Sequence, residues 1–441
     1  MSNHIIIKNK IRSFNKRITV SGDKSISIRC VLLASQGIGT SKIFNLLESE
    51  DVINALKSIR KLGVSYRKFK KFYKINGYGL NSFGGKKKIV INAGNSGTFA
   101  RLVLGTLVNT KNIVKVIGDK SLSKRDFSRI TNPLKNFGVN ISSTNNCLPV
   151  KIEGSEYLRP INYFEKIGSA QCKSAVMLAA IKTPGTTKIK AKKSRDHTEI
   201  LLKNLKIPIK ISKKKKFDYF EIKGPSNYSG FNYNVPGDIS SAAFFLVMTL
   251  LCKRSKLTIS NVNINKTRTG IIEILNQMNA KLKIKNKRIY KGELTADIVA
   301  ESKSNLQSID CPKNINSSAI DEFLIIFLVA AKAKGVSKFY DLGEMNKKES
   351  RRLDIAINFL KMIGVKVLRN NNSIKIYGNP SLNLKGKYEM KDFQKDHRVF
   401  MMSCIAALTF GGYWKIHNKE STNTSFPNFF KIMRKLGVRL N

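Results

Sequence analysis

The chain has 441 residues, with 80 Lys and Arg against 29 Asp and Glu, a formal net charge of +51. No apolar run reaches the roughly 20 residues that a bilayer crossing needs, and the six cysteines show no paired metal or redox spacing. These facts exclude a helical membrane span, a zinc module and a disulfide scaffold; they leave either an anionic partner or a compositional drift toward lysine.

The start, MSNHIIIKNK, is too short in apolar residues for a secretory signal and lacks a transit segment, so a cytoplasmic protein is expected. Two interleaved series of six helices follow, each spaced close to 73 residues. The first series opens on polar clusters at Lys24, Asn95, Ser169, Asp238, Asp321 and Asp396, and each opening leads into an apolar stretch. Residues 242–252 (AAFFLVMTLLC) and 323–331 (FLIIFLVAA) are apolar all round, so they are expected to be buried on every side. The second series is amphipathic, as in residues 353–363 (LDIAINFLKMI), and ends at Gly63, Gly138, Lys206, Asn279, Gly364 and Gly437. Two phases held over six periods indicate a repeated unit. After each amphipathic helix, alternating residues flank a polar tip, as in residues 63–77 and 207–224, which predicts a hairpin. Strands alternating with helices predict an α/β fold with parallel pairing through crossovers.

Six units exceed one core. The division expected is three and three, with domains at 21–237 and at 1–20 plus 238–441 and a two-strand hinge near 20 and 237. Residues 5–20 are then expected to lend a strand to the second domain. Lysine runs such as 86–88 and 213–216 are expected at hairpin tips, as solvated charge. Cys30, Cys172, Cys252 and Cys404 lie in apolar helices and read as buried thiols, whereas Cys147 and Cys311 lie in loop-like stretches.

The chemistry is expected at the helix openings. Lys24, Ser25 and Arg29 open the first buried helix, and Ser169, Ala170 and Gln171 the third. Arg125, Arg195, and Lys348 with Glu349, Arg351 and Arg352 sit at openings of the covering helices, while Asp321 and Arg398 start buried ones. Helix N-termini present unpaired N–H groups, and arginine adds forked contacts to phosphate and carboxylate. A single Ser or Asp there is an ordinary cap; the recurrence of cations at one phase is the signal.

These residues resemble the family of 5-enolpyruvylshikimate-3-phosphate synthases, bacterial 3-phosphoshikimate 1-carboxyvinyltransferases. The resemblance runs from about Val20 to the end. It rests on GDKSISIR (22–29), NSGT with Arg101, GDKSLSKR (118–125), SAQCKSAVMLAA (169–180), SRDHTE (194–199), VPGDISSAAF (235–244), TRTG (267–270), DEF (321–323), KKESRRL (347–353) and DHR (396–398). It implies a two-domain inside-out α/β barrel, each domain three βαβαββ units with buried parallel helices. It also implies transfer of enolpyruvyl from phosphoenolpyruvate to the 5-hydroxyl of shikimate 3-phosphate by addition and elimination, in the shikimate pathway to chorismate. By the resemblance, Lys24, Ser25, Arg29, Ser169, Ala170, Gln171, Arg195, Asp321 and Lys348 meet shikimate 3-phosphate. Lys24, Gly97, Arg125, Gln171, Arg352 and Arg398 meet phosphoenolpyruvate. Asp321, Glu349 and Lys24 are the implied catalytic groups, with Asp321 taking the hydroxyl proton and Glu349 protonating the methylene carbon. No metal or cofactor, no specific nucleic acid and no membrane are implied, and a monomer is expected.

The sequence departs from the family at several places. Asp126 stands where proline is usual, Arg351 where an acidic residue is common, and Thr424 where other branches carry lysine. Residues 345–349 (MNKKE) lack a usual arginine, so the register of the Lys347-Lys348 and Arg351-Arg352 pairs stays open. Gly97 is kept, which implies a pocket open to glyphosate. Two rivals are the sister transferase acting on UDP-N-acetylglucosamine and a non-enzymatic polyanion-binding protein. The first is discounted because residues 118–129 hold no cysteine and SRDHTE is present. The second is discounted for want of basic patches interleaved with aromatics.

Overall fold

The computed structural model describes residues 3–85, 87–302 and 305–439. Its buried helices are α1 (Lys24–Ala34), α3 (Gly97–Thr106), α5 (Ala170–Ala180), α7 (Ile239–Leu251), α10 (Phe323–Lys332) and α12 (His397–Phe410). Its covering helices are α2 (Glu50–Lys61), α4 (Ser128–Asn136), α6 (His197–Asn204), α8 (Gly270–Gln277), α11 (Arg352–Met362) and α13 (Phe429–Lys435), and α9 (Asn316–Ala319) is a single turn.

The two helix series end differently because they are capped differently. Five of the six buried helices start on a side chain that accepts a backbone N–H: Asp23 from Ile26, Ser96 from Phe99, Ser169 from Cys172, Asp238 from Ser240 and Asp396 from Arg398. The covering helices stop at Gly63, Gly138, Lys206, Asn279, Gly364 and Gly437, all with positive φ. The residue after each stop is apolar. In five of the six its N–H bonds back into the last turn, Val64 to Ile59, Ile207 to Leu202, Ala280 to Leu275, Val365 to Leu360 and Val438 to Met433. This is a Schellman ending, and it explains why four of the six stops are glycine and each is followed by an apolar residue.

By its internal contacts the chain divides into two units. The first is Gly22–Val235 with Lys291–Glu293; the second is Met1–Ser21, Pro236–Tyr290 and Leu294–Asn441. Each unit carries three of the six sheets formed by the described residues. In the first unit, Lys88–Asn92 pairs parallel with Ile113–Ile117, which pairs antiparallel with Cys147–Glu153, which pairs antiparallel with Asn140–Thr144. Asn162–Glu165, Gly185–Lys192, Phe217–Gly224 and Ile209–Lys213 repeat that order. In the remaining sheet of this unit the leading strand is Asn232–Asn234, drawn from the far end of the unit to pair with Ile38–Phe44. In the first two of these sheets the parallel pair is the crossover around a buried helix, whereas in the third it is closed by a strand distant in sequence, and the hairpins add the antiparallel part.

The second unit completes itself from the N-terminus. Residues 5–20 are expected to lend one strand, and the structure shows two. Asn15–Thr19 runs parallel to Lys256–Asn263, and His4–Ile7 runs antiparallel to Gly411–His417. The second lies antiparallel beside Gly411–His417, where the other sheets carry a hairpin strand. The chain also passes between units more often than twice. The turn Lys291–Glu293, between the strands Lys281–Tyr290 and Glu293–Glu301, belongs to the first unit. There Glu293 meets buried His197 at 2.6 Å. Lys213–Lys216 sit at a hairpin tip, but Lys87 and Lys88 lead into a parallel strand, and Lys86 lies outside the described residues. Cys147 opens a strand rather than a loop. Among the described residues no helix is long and apolar enough to cross a membrane.

Packing of the buried helices is close. A Cβ at Gly105 of α3 would lie 2.1 Å from the Ala175 carbonyl oxygen of α5, so only glycine lets these two meet. Gly105→Ala is expected to lose about 3 kcal/mol of stability or to fail to fold, since overpacking against backbone has no soft neighbour to move; urea denaturation measures it. Beyond α5, Lys182 is buried, donating to the Leu80 carbonyl and to Asn109 Oδ1, each at 2.7 Å. Burial pushes its ammonium down to about 7. Between that value and the ordinary one the unfolded chain binds more protons, so this group's contribution to stability rises with pH. The stability of the wild type relative to Lys182→Met should therefore climb between about pH 7 and about pH 9, and a flat difference would refute it.

Candidate functional site

The candidate residues fall into two clusters, one per unit. In the first unit, α1 presents Lys24, whose Nζ lies 3.0 Å from Asp51 Oδ2 in the first turn of α2. Ser25 follows, and one turn later Arg29 is buried. Its Nε donates to Thr198 Oγ1 at 2.7 Å, Nη1 to the Ser25 carbonyl at 2.9 Å and Nη2 to Ser174 Oγ at 2.9 Å. These bonds tie the openings of α1, α5 and α6 together. Burial pushes the Arg29 guanidinium down to about 10, against the pull of Glu199 and Asp23, and Arg195 nearby adds to the fall. It stays charged at neutral pH.

A second knot surrounds α3. Gln171, next after Ala170 at the start of α5, donates to Thr98 Oγ1 at 3.0 Å and accepts from Arg101 Nη1 at 3.0 Å. Arg101 also donates to the Asp126 carbonyl and lies over the Phe127 ring. Burial first, and the neighbouring Arg125 second, push its guanidinium down to about 10. Asp126, placed where proline is usual, accepts from Ser128 N and Oγ and so begins α4. A Cβ at Gly97 would stand 2.8 Å from Arg101 Nη1 and 3.1 Å from Arg125 Nη1. Arg125 Nε and Nη2 are buried donors with no hydrogen-bond partner. Buried unpaired N–H groups cost about 1–3 kcal/mol each, and an anion beside Gly97 would relieve both.

The second unit's cluster centres on Arg352, 2% exposed at the start of α11. Its Nε donates to Asp396 Oδ2 at 2.8 Å, Nη2 to Asp396 Oδ1 at 3.3 Å and to Glu349 Oε2 at 2.5 Å, and Nη1 to Asp321 Oδ1 at 3.5 Å. Burial works against the charge, but Asp396, Glu349 and Asp321 together outweigh it and raise the guanidinium above its usual range. Burial likewise opposes the Asp396 carboxylate, yet Arg352 holds it below the usual carboxylate range. Lys348 Nζ lies 3.2 Å from Asp321 Oδ1, and Arg398 Nη1 donates to the Asp321 carbonyl at 2.9 Å. Lys347 turns outward to Glu344 and Arg351 to Asp354, whereas Lys348 and Arg352 turn to Asp321. Thr424 Oγ1 sits 3.3 Å from His397 Nδ1.

Within each unit, then, the expected residues are joined through their neighbours. Lys24, Ser25, Arg29, Gly97, Arg125, Ser169, Ala170, Gln171 and Arg195 stand at helix openings of the first unit; Asp321, Lys348, Glu349, Arg352 and Arg398 stand at those of the second. Sequence reasoning did not assign Arg101, Asp396, Thr198 or Ser174. Arg101 could have been found, since it lies one turn beyond Gly97 on the same helix. Among the described residues no group of three or more His, Cys, Asp and Glu side chains could hold a metal ion.

A family model described as EPSP synthase (3-phosphoshikimate 1-carboxyvinyltransferase) matches residues 8–433. The 3-phosphoshikimate 1-carboxyvinyltransferase of Ruthia magnifica subsp. Calyptogena magnifica is 38% identical over 430 residues, covering 96% of each chain. That of Bacillus cytotoxicus is 36% identical over 428 residues, covering 96% of this chain and 98% of the relative. Among solved structures, an EPSP synthase from Acinetobacter baumannii matches with a TM-score of 0.87 at 34% identity over 99% of both chains. The enolpyruvyl transferase NikO from Streptomyces tendae matches with a TM-score of 0.78 at 13% identity, a likeness of fold alone. The family model and the curated relatives span nearly all of the chain, and it belongs to the EPSP synthase family, the enolpyruvyl-transferring 3-phosphoshikimate 1-carboxyvinyltransferases.

Proposed function

We propose that the chain moves the enolpyruvyl group of phosphoenolpyruvate to the 5-hydroxyl of shikimate 3-phosphate, releasing phosphate, with the residues above in the following roles. Both substrates are anions, so cations must offset their repulsion and hold them in reacting geometry. Lys24, Ser25, Arg29, Ser169, Ala170, Gln171, Arg195 and Lys348 bind shikimate 3-phosphate. Arg29 is buried and already donates three times, so it acts chiefly by fixing Ser25 and Thr198. Lys24, Gly97, Arg125, Gln171, Arg352 and Arg398 bind phosphoenolpyruvate. Four of the five Arg352 N–H groups are engaged by carboxylates, which leaves one Nη1 donor for the incoming anion.

In addition, Asp321 takes the proton of the 5-hydroxyl as its oxygen bonds to C2 of phosphoenolpyruvate, and Glu349 gives a proton to C3, which becomes a methyl group. The product is a tetrahedral phosphate ketal. In elimination the methyl group returns a proton to Glu349, the C2–phosphate bond breaks, and phosphate leaves with the proton Asp321 had taken. One arginine holding both carboxylates is the observation that carries this reading: Asp321 and Glu349 are within hydrogen-bond reach of the same Arg352 side chain. The chain crossings at Ser21–Gly22 and Val235–Pro236 are the hinge in this reading. Six free cysteines, five of them buried, suit a reducing compartment and so the cytoplasm.

The deciding experiment is phosphate release from phosphoenolpyruvate with and without shikimate 3-phosphate. Release should need both substrates. Asp321→Asn and Glu349→Gln should each lower kcat by about 10²–10⁴-fold, the usual share of a positioned acid or base; wild-type turnover in either removes it from the mechanism. Gly97→Ala pushes a methyl group toward the Arg101 and Arg125 guanidinium groups, so KM for phosphoenolpyruvate should rise more than KM for shikimate 3-phosphate. Glyphosate should inhibit the wild type in competition with phosphoenolpyruvate, and indifference to millimolar inhibitor would overturn the open pocket.

A further inference from the structure

The segment 267–270 (TRTG) has no role in the reaction as described, yet its arginine is 2% exposed and reaches the machinery of the second unit. Arg268 Nη2 donates to Ser240 Oγ at 2.7 Å and lies 3.4 Å from Asp238 Oδ1 at the start of α7. Ser240 Oγ donates in turn to Glu322 Oε1. Glu322 is buried, follows Asp321 directly and lies 3.8 Å from Arg398 Nη1. The same Arg398 nitrogen donates to the Asp321 carbonyl. An unbroken polar chain thus runs from Arg268 through Ser240 and Glu322 to the backbone of Asp321 and to Arg398.

The other end of the segment reaches the same place by packing. A Cβ at Gly270 would stand 2.5 Å from Ser318 Oγ and 2.9 Å from the Ala319 backbone nitrogen. Gly270 opens α8, and Ser318 and Ala319 belong to α9, two residues before Asp321. The loop itself is braced, since Asn265 Oδ1 accepts from Thr267 N and Oγ1 and the Asn265 carbonyl accepts from Arg268 N. One short loop therefore fixes the segment bearing Asp321 from both sides.

We infer that Arg268 is a positioning residue for the proton acceptor, acting through Ser240 and Glu322, and that Gly270 sets the same segment by close approach. The inference rests on Asp321 and Arg398 having the roles proposed above. A buried charged group that only stabilised the fold would change stability; one that sets Asp321 and Arg398 must change chemistry, because misplacing a reacting group by 1 Å costs about 10²-fold.

The test uses the full-length enzyme and compares Arg268→Gln, Arg268→Lys, Ser240→Ala and Gly270→Ala with Asp321→Asn. Arg268→Gln should lower kcat by about 10–100-fold, raise KM for phosphoenolpyruvate and shift the pH profile of kcat. Arg268→Lys should restore part of the loss, and Gly270→Ala should show the same kinetic pattern. Ser240→Ala removes only the bridging hydroxyl, so it tests the chain even if Arg268→Gln does not fold; a fall in kcat of about 3–10-fold is expected. Folded Arg268→Gln or Ser240→Ala with a lowered Tm but wild-type kcat, KM and pH profile would overturn the inference. If Asp321→Asn keeps wild-type turnover, the site assignment fails instead; if it is inactive while the Arg268 and Ser240 variants are normal, only the positioning role fails.

Discussion

The second unit depends on one buried cation. Arg352 is nearly without solvent and faces three carboxylates, one of them fully buried. Removing it would leave Asp396 as a buried charge without its chief partner, a loss that typically costs about 3–5 kcal/mol. The same guanidinium fixes geometry. Asp396 caps α12, Arg352 begins α11 and Asp321 precedes α10, so a single side chain sets the phase of a covering helix against two buried ones. The repeat architecture makes this economical. Each unit brings its helix openings together, and the groups proposed for the chemistry stand at or just ahead of helix N-termini.

How much of this could be read in the sequence varies with the range of the interaction. Local rules located most of the long helices, because buried all-round apolar runs, N-cap side chains and Schellman endings are written within a few residues of one another. Lys206 and Asn279 were legible as stops only through the period, since neither is glycine and both carry positive φ. The register at Lys347-Lys348 and Arg351-Arg352 was not legible, because neighbouring residues of like charge differ only in which partner the fold presents. The two N-terminal strands were half legible: alternation marks residues 5–20 as extended, but pairing with strands some 240 and 410 positions away leaves no local trace. Arg268 was invisible for the same reason, its partners lying 28 and 30 residues back along the chain.

The large positive charge separates into two populations. Many lysines stand on strands and hairpin tips, where several lie over exposed or half-buried rings, as Lys190 does over Phe164 and Phe217. Such stems cover apolar surface while the head stays in water. A minority are placed with hydrogen-bond geometry among carboxylates, hydroxyls and buried amides: Lys24, Arg29, Arg101, Arg352 and Arg398 belong here. The first group includes exposed ion pairs such as Lys68 with Glu48 and Lys256 with Glu301, which contribute little; the second group carries the charge proposed to act in the chemistry.

The N-terminal pairing has a consequence for biogenesis. His4–Ile7 leaves the ribosome some 410 residues ahead of its partner Gly411–His417. At about 5–20 residues per second, that edge waits on the order of tens of seconds during translation. Throughout that interval a nascent strand of three consecutive isoleucines has no native neighbour, which makes it a natural site for chaperone capture and, when synthesis outruns capture, for intermolecular mispairing.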